Sequence, residues 1–225
     1  KALRKSPSYI DRTVERLKPY LKDAPRKQAS LRQEGLFRAK YPLPERLLGL
    51  YEYAPVDLLE QGFSEEVLQD NDIGFDKELG RIVYPIRDLY GTLAGIAGKP
   101  VDGDGPGKYL VYEKEIRDLG FRPYSFSNHD YMWRWEMVYA QVYRADPKPT
   151  IYVTEGYKAC LWLVQYGFPL TMAIMGTSFS EAQVRFLQRL GTKTVLCLDD
   201  DKWGRIATKK ACYKLRGLDL RIMRY

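Results

Sequence analysis

Three consecutive carboxylates, Asp199, Asp200 and Asp201, follow the apolar run Thr194 to Leu198 and precede a segment, Trp203 to Lys214, that reads as a helix. Like charges crowded at the mouth of a sheet repel one another, unless a hard cation turns the repulsion into coordination. Two further strand-like runs end in similar chemistry: Glu155-Gly156 follows the first, and Gly176-Thr177-Ser178 follows the second. Asp and Glu without accompanying Cys or imidazole favour Mg²⁺ or Mn²⁺ over zinc, so the expected donor set is all oxygen. Paired hard cations held in this way suit in-line phosphoryl transfer, one activating the attacking oxygen and one neutralising the leaving group. Taken singly, Glu155 or Asp199 also reads as a helix cap or first-turn acid stabilised by the dipole. Acids at two strand ends of one crossover unit point jointly to a metal site.

The elements that must position these acids are legible from Thr150 onward. Residues 151–153, 170–174, 194–198 and 218–223 are short apolar runs, each separated from the next by an amphipathic segment of helical length. Strand, helix, strand repeated three times predicts a parallel sheet with right-handed crossovers. In such a sheet ligands bind beyond the carboxyl ends of the strands, where all the suspect residues fall. Ser178 with Glu181 is expected to form a capping box on the second helix.

Upstream, Ile10, Val14, Leu17 and Leu21 predict a short amphipathic helix, followed by a basic linker leading to a new domain near Leu48. Residues 55–70 predict two short helices broken at Gly62, the second opened by Ser64. Residues 81–87 and 92–97 predict a hairpin whose first strand, carrying Pro85, is an edge or bulged one. The loop 102–107 is expected to be irregular and exposed, and the stretch 121–143 to pack between domains, helical from Met132 to Val142.

The chain has 225 residues and a formal charge of +7, with 13 Lys/Arg against 5 Asp/Glu in residues 1–48. The excess charge thus resides in an N-terminal stretch able to steer a polyanion, or else forms a solvated face. No apolar run is long enough to span a membrane and no signal peptide is evident, so a cytoplasmic protein is expected. Cys160, Cys197 and Cys212 lack CxxC spacing and read as reduced packing residues, and the single His129 builds no zinc site with them.

Thr154-Glu155-Gly156-Tyr157, Met175-Gly176-Thr177-Ser178 and residues 198–205 resemble the opening motifs of a TOPRIM domain, in the form found in DnaG-type bacterial and phage primases. Gly62 to Val67, Ile73-Gly74-Phe75, residues 81–88 with Gly91 and Gly95, and Gly107 to Leu110 resemble the basic subdomain that precedes TOPRIM in the primase catalytic core. The resemblance implies an α/β TOPRIM fold over 150–225, truncated at its C-terminal end, preceded by a small α+β subdomain over 49–149 and a basic helical lead-in over 1–48. It implies metal-dependent, template-directed synthesis of RNA primers on single-stranded DNA from ribonucleoside triphosphates, with a replicative helicase engaged through a region outside this chain.

Carried over, Glu155 is the metal-linked acid or general base, and Asp199 and Asp201, with Asp200, bind Mg²⁺ or Mn²⁺. Arg81, Arg87, Lys99, Lys108 and Tyr109 form the ridge that holds template or nucleotide phosphates, joined by Lys202 and Arg205 beside the acids. Lys and Arg there can bind triphosphate oxygens, and Tyr109 can stack on a base. Three positions depart from the family. Ala159 replaces an Asp and removes one carboxylate from the expected metal set, Trp203 replaces a small residue, and Val111 stands where Asn is usual. The alternatives are another TOPRIM phosphotransferase, such as a nuclease, and a non-catalytic module that binds single-stranded nucleic acid.

Overall fold

The computed structural model describes residues 37–53, 55–101 and 109–223, apart from the side chain of Trp203. The predicted helix at 6–21, the loop 102–107 and Lys108 lie outside the described residues. The chain divides into two units between Phe126 and Ser127, earlier than the expected 149/150 boundary.

The first unit is built on a five-stranded antiparallel sheet in sequence order: β1 (Glu52–Tyr53), β2 (Gly74–Asp76), β3 (Arg81–Arg87), β4 (Leu93–Pro100) and β5 (Leu110–Val111). The hairpin β3–β4 turns at Asp88, whose Oδ1 accepts from the backbone N–H of Tyr90 at 2.8 Å and of Thr92 at 2.9 Å. An aspartate that bonds the backbone two residues on is a turn in itself. Pro85 sits past the end of β2, which pairs only with residues 81–83, so its missing N–H breaks no ladder. The register shifts at Ile86/Arg87. The expected bulge is present, in a strand paired on both sides rather than at the edge.

Two short helices, α1 (Val56–Glu60) and α2 (Glu65–Asp70), connect β1 to β2. Gly62 turns between them at φ 96°, and Ser64 Oγ accepts from the Val67 N–H at 3.2 Å, capping the second. A third helix, α3 (Glu113–Asp118), follows β5. Leu43, Leu47 and Leu48 are buried in one core with Val83, Leu93, Ile96, Tyr112 and Ile116. The boundary expected at residue 48 therefore falls inside this unit. These leucines recur at the spacing of a short turn, a signal that the surrounding prolines mask.

The second unit carries a four-stranded parallel sheet ordered β7-β6-β8-β9: β6 (Ile151–Thr154), β7 (Thr171–Ala173), β8 (Thr194–Cys197) and β9 (Leu220–Ile222). Its helices are α4 (Trp135–Val142), α5 (Tyr157–Gln165), α6 (Glu181–Leu190) and α7 (Lys202–Lys214). Strands β6, β7 and β8 read as apolar runs because both faces of a parallel sheet are covered, whereas the edge strand β9 is largely exposed. Ile151, Val153, Met172, Ala173 and Leu196 are all fully buried.

Residues 127–142 belong to this unit. Trp133 exchanges both backbone hydrogen bonds with Ala173, at 2.8 and 3.1 Å, adding one antiparallel bridge to the edge strand β7. The next residue, Arg134, takes a left-handed backbone at φ 67°, and its buried guanidinium donates to the carbonyls of Pro169 and Thr171. That bend delays α4 to Trp135, although apolar spacing alone begins it at Met132. The capping box of α6 also differs from expectation. Ser180 Oγ accepts from the Gln183 N–H and Gln183 Oε1 from the Ser180 N–H, so the box is Ser180 with Gln183, not Ser178 with Glu181.

Cys160 and Cys197 are buried and free, and burial pushes both thiols up to about 11, as suits packing residues. Among the described residues no helix is long and apolar enough to cross a membrane.

Candidate active site

Strands β6 and β8 lie side by side, with Thr154 paired to Cys197. Glu155 is one residue past the end of β6 and Asp199 two past the end of β8, so the topology delivers both acids to the same carboxyl edge. That placement is the arrangement expected of a ligand site in a parallel sheet. Glu155 is half-buried, while Asp199, Asp200 and Asp201 are exposed.

The loop after β7 is tied to Glu155 through the main chain. Ile174 N–H donates to Thr154 O at 3.1 Å and Met175 N–H to Glu155 O at 3.0 Å. Met175 is left-handed at φ 58°, an uncommon state for a residue with a long side chain. Two side chains hold the loop in it. Asn128 Nδ2 donates to Met175 O at 2.9 Å, and the buried Gln183 donates to Ile174 O and Tyr131 O. Sequence reading missed both. The spacing Ser180-x-x-Gln183 signals the second, whereas nothing in the sequence singles out Asn128.

Beyond β8 the chain turns sharply into α7. Asp201 is its N-cap, with Oδ1 accepting from the Gly204 N–H at 2.6 Å. Gly204 permits the turn, because a Cβ there would stand 1.8 Å from the carbonyl oxygen of Asp199. Asp200 pairs with Arg205, which also donates to the Asp200 carbonyl, and this pair is exposed.

Among the described residues no group of three or more His, Cys, Asp or Glu side chains is gathered to hold one metal ion. The predicted set of Glu155, Asp199, Asp200 and Asp201 shares an edge but is not assembled as a coordination shell. Two of the four are engaged elsewhere: Asp201 caps a helix N-terminus and Asp200 pairs with a guanidinium. In donor chemistry and placement the residues fit a hard divalent cation. Glu155 and Asp199 lie on adjacent strand ends and offer only oxygen.

The predicted basic ridge divides. Directly opposed residues of an antiparallel pair share a face, and Ile82 opposes Lys99 while Arg81 opposes Pro100. Lys99 and Arg81 therefore point to opposite faces of the sheet, with Tyr109 on the Lys99 side. Arg81, Lys99 and Tyr109 are all half-buried.

Arg87 is a correction to the predicted phosphate-binding set. It is 9% exposed, and its guanidinium donates to both Glu45 carboxylate oxygens at 2.6 and 2.9 Å, to Asp72 at 2.8 Å and to Gly91 O at 3.0 Å. Burial opposes its charge, but the bonds and charges of Glu45 and Asp72 outweigh that and raise its pKa above the ordinary range. It is an internal tie. Lys202 and Arg205, by contrast, are exposed on the first turn of α7 beside the acids. A groove of about 580 Å³ runs from Asp199 and Asp200 between α7 and the end of β9.

Comparison with known proteins agrees with this architecture. The family described as Toprim-like matches residues 152–225. A DNA primase of Clostridium acetobutylicum is 28% identical over 92% of this chain and 33% of its own length. The DNA primase of Escherichia coli K12 is 31% identical over 70% of this chain and 26% of its own. The chain thus spans about a third or less of these curated relatives. Among solved structures, a DnaG catalytic core is 25% identical with a TM-score of 0.57, covering 74% of this chain and 62% of that one. A DnaG primase catalytic domain solved with single-stranded DNA has a TM-score of 0.61 at 23% identity, over 80% of this chain and 68% of that one. In sequence and in fold the chain is similar to the DnaG-type primase catalytic cores, and its residues 152–225 match the Toprim-like family.

Proposed function

We propose that this chain catalyses template-directed synthesis of RNA primers on single-stranded DNA, with ribonucleoside triphosphates as substrates. The observation that carries the reading is the delivery of Glu155 and Asp199 to one edge by adjacent parallel strands, in a chain whose relatives are DNA primases. Primer extension is in-line attack by a ribose hydroxyl, which gives up its proton, on the α-phosphate of a triphosphate, whose α–β bond breaks to release pyrophosphate, so the site must offset negative charge on the triphosphate and lower the pKa of the attacking oxygen.

Bound Mg²⁺ or Mn²⁺ supplies both effects at such sites. Glu155 and Asp199 are the residues that would hold it, with Asp201 joining on release of its cap. The protein's own contributions are positional. Gly204 lets α7 start directly against Asp199, and the loop at Met175 braces the main chain of Glu155. Arg205 and Lys202 stand where they can receive triphosphate oxygens that carboxylates repel. Lys99 and Tyr109, on one face of the first sheet, are the remaining candidates for template contact, and Lys108 keeps its expected role as a proposal.

A second reading, a module that binds single-stranded nucleic acid without chemistry, is favoured by Ala159 and by the capping role of Asp201. Incubation with single-stranded DNA, labelled ribonucleotides and Mg²⁺ or Mn²⁺ separates the two. Template-dependent product that disappears with EDTA supports synthesis. Binding that survives EDTA with no product supports the module.

A further inference from the structure

The balance of residues 49–225 is nearly neutral, yet it conceals a local excess: residues 202–223 hold seven Lys/Arg and one acid, Asp219. Five of those cations, Lys202, Arg205, Lys209, Lys210 and Lys214, lie on α7, which has no carboxylate in its 13 residues. All five are exposed. At 3.6 residues per turn, Lys202, Arg205, Ile206, Lys209 and Tyr213 fall within one arc, and Arg216 continues it just past the helix end. Tyr213 is 70% exposed, and the Arg216 guanidinium lies 4.9 Å from its ring centroid. Soluble helices ordinarily intersperse acids among such cations, because like charges three and four residues apart repel.

The groove beside α7 shares this character. Arg205 and Lys209 form its wall, Leu198, Cys212 and Met223 its apolar floor, and Asp199 and Asp200 close one end. A cationic wall, an apolar floor and an exposed aromatic ring are what a single strand needs, since the backbone follows the charges while bases meet the apolar and ring surfaces. The helix is about 20 Å long, enough to follow several successive nucleotides of a single strand.

We propose that the outer face of α7 and the adjoining groove bind single-stranded DNA, as a contact separate from Lys99 and Tyr109 and leading away from the acids at the head of the helix. The partner is fixed by charge complementarity and by continuity with the acid edge, so the inference rests on the primase reading. An anionic membrane or an acidic protein would also satisfy cations and ring, but a groove that adjoins Asp199 and Asp200 fits a strand leaving the acid edge.

The test uses the whole chain and the variant Lys209→Gln/Tyr213→Ala/Arg216→Gln, with thermal unfolding as a control for folding. Fluorescence anisotropy against a thymidine 30-mer at several salt concentrations should show about tenfold weaker binding at low salt. The salt slope should be shallower by roughly 0.7 for each lost phosphate contact. An iododeoxyuridine oligonucleotide should photocrosslink at Tyr213 in the unmodified chain. Unchanged affinity and slope, crosslinks elsewhere only, or weakened binding of RNA but not DNA would each overturn the proposal. If the unmodified chain makes no primers while the variant still loses DNA binding, the groove stands and the primase reading falls.

Discussion

Arg87 and Arg205 are the same residue type, each paired with aspartate, and their surroundings make them opposites. In the first unit Arg87 and Asp72 are 9% and 8% exposed, and Arg87 also bonds Glu45. In the second, Arg205 and Asp200 are 62% and 51% exposed and lie beside a groove. A desolvated pair is held by its partners and cannot be spared for a ligand. An exposed pair is weak and can exchange partners. The charge of Arg87 is therefore framework, whereas that of Arg205 is available for chemistry.

Substitutions can break or sharpen that contrast. The largest effect is expected at Arg87→Ala, which leaves Asp72 buried without its cation and should cost about 3–5 kcal/mol in denaturant unfolding. Adding Asp72→Ala should recover part of this, since the two share one network. A loss below ~1 kcal/mol would mean the tie is dispensable and the contrast unfounded. Asp199→Asn should reverse the pattern: primer synthesis falls about a hundredfold or more, while stability stays within ~0.5 kcal/mol because the site is exposed. Retained synthesis would remove Asp199 from the chemistry.

Gly204→Ala should cost about 1–3 kcal/mol and depress synthesis as well, because its Cβ would displace the Asp199 carbonyl. Wild-type behaviour would show that the turn relaxes freely. Smallest is the cap. Asp201→Ala should lose ~1 kcal/mol of stability, whereas Asp201→Asn keeps an acceptor for Gly204 and loses only charge. Equal loss of synthesis in both variants, with stability lost only in the first, would separate a metal role for Asp201 from its capping role.

The parallel sheet was legible because its strands are apolar runs divided by amphipathic segments, a pattern set by burial on both faces. The acid edge was legible for the same reason, since the residue types and the strand ends coincide. What escaped was decided by geometry that has no local signature. Arg87 sits in a strand like any basic residue, and only the fold brings Glu45 and Asp72 to it. The split of Arg81 from Lys99 follows from a pairing register that neither strand encodes alone. Arg134 is left-handed where its guanidinium reaches two carbonyls of another segment, which moved the start of α4. The capping box slipped from Ser178 to Ser180 because Gln183 is also held by Tyr131 and Ile174.

The central claim is that Glu155 and Asp199 share a divalent cation. Crystals grown with Mn²⁺ and measured at the manganese edge test it most directly. The account predicts an anomalous peak within about 2.0–2.3 Å of carboxylate oxygens from both residues, lost in Asp199→Asn. A well-ordered edge with no peak, or one that binds manganese through neither residue, would contradict it.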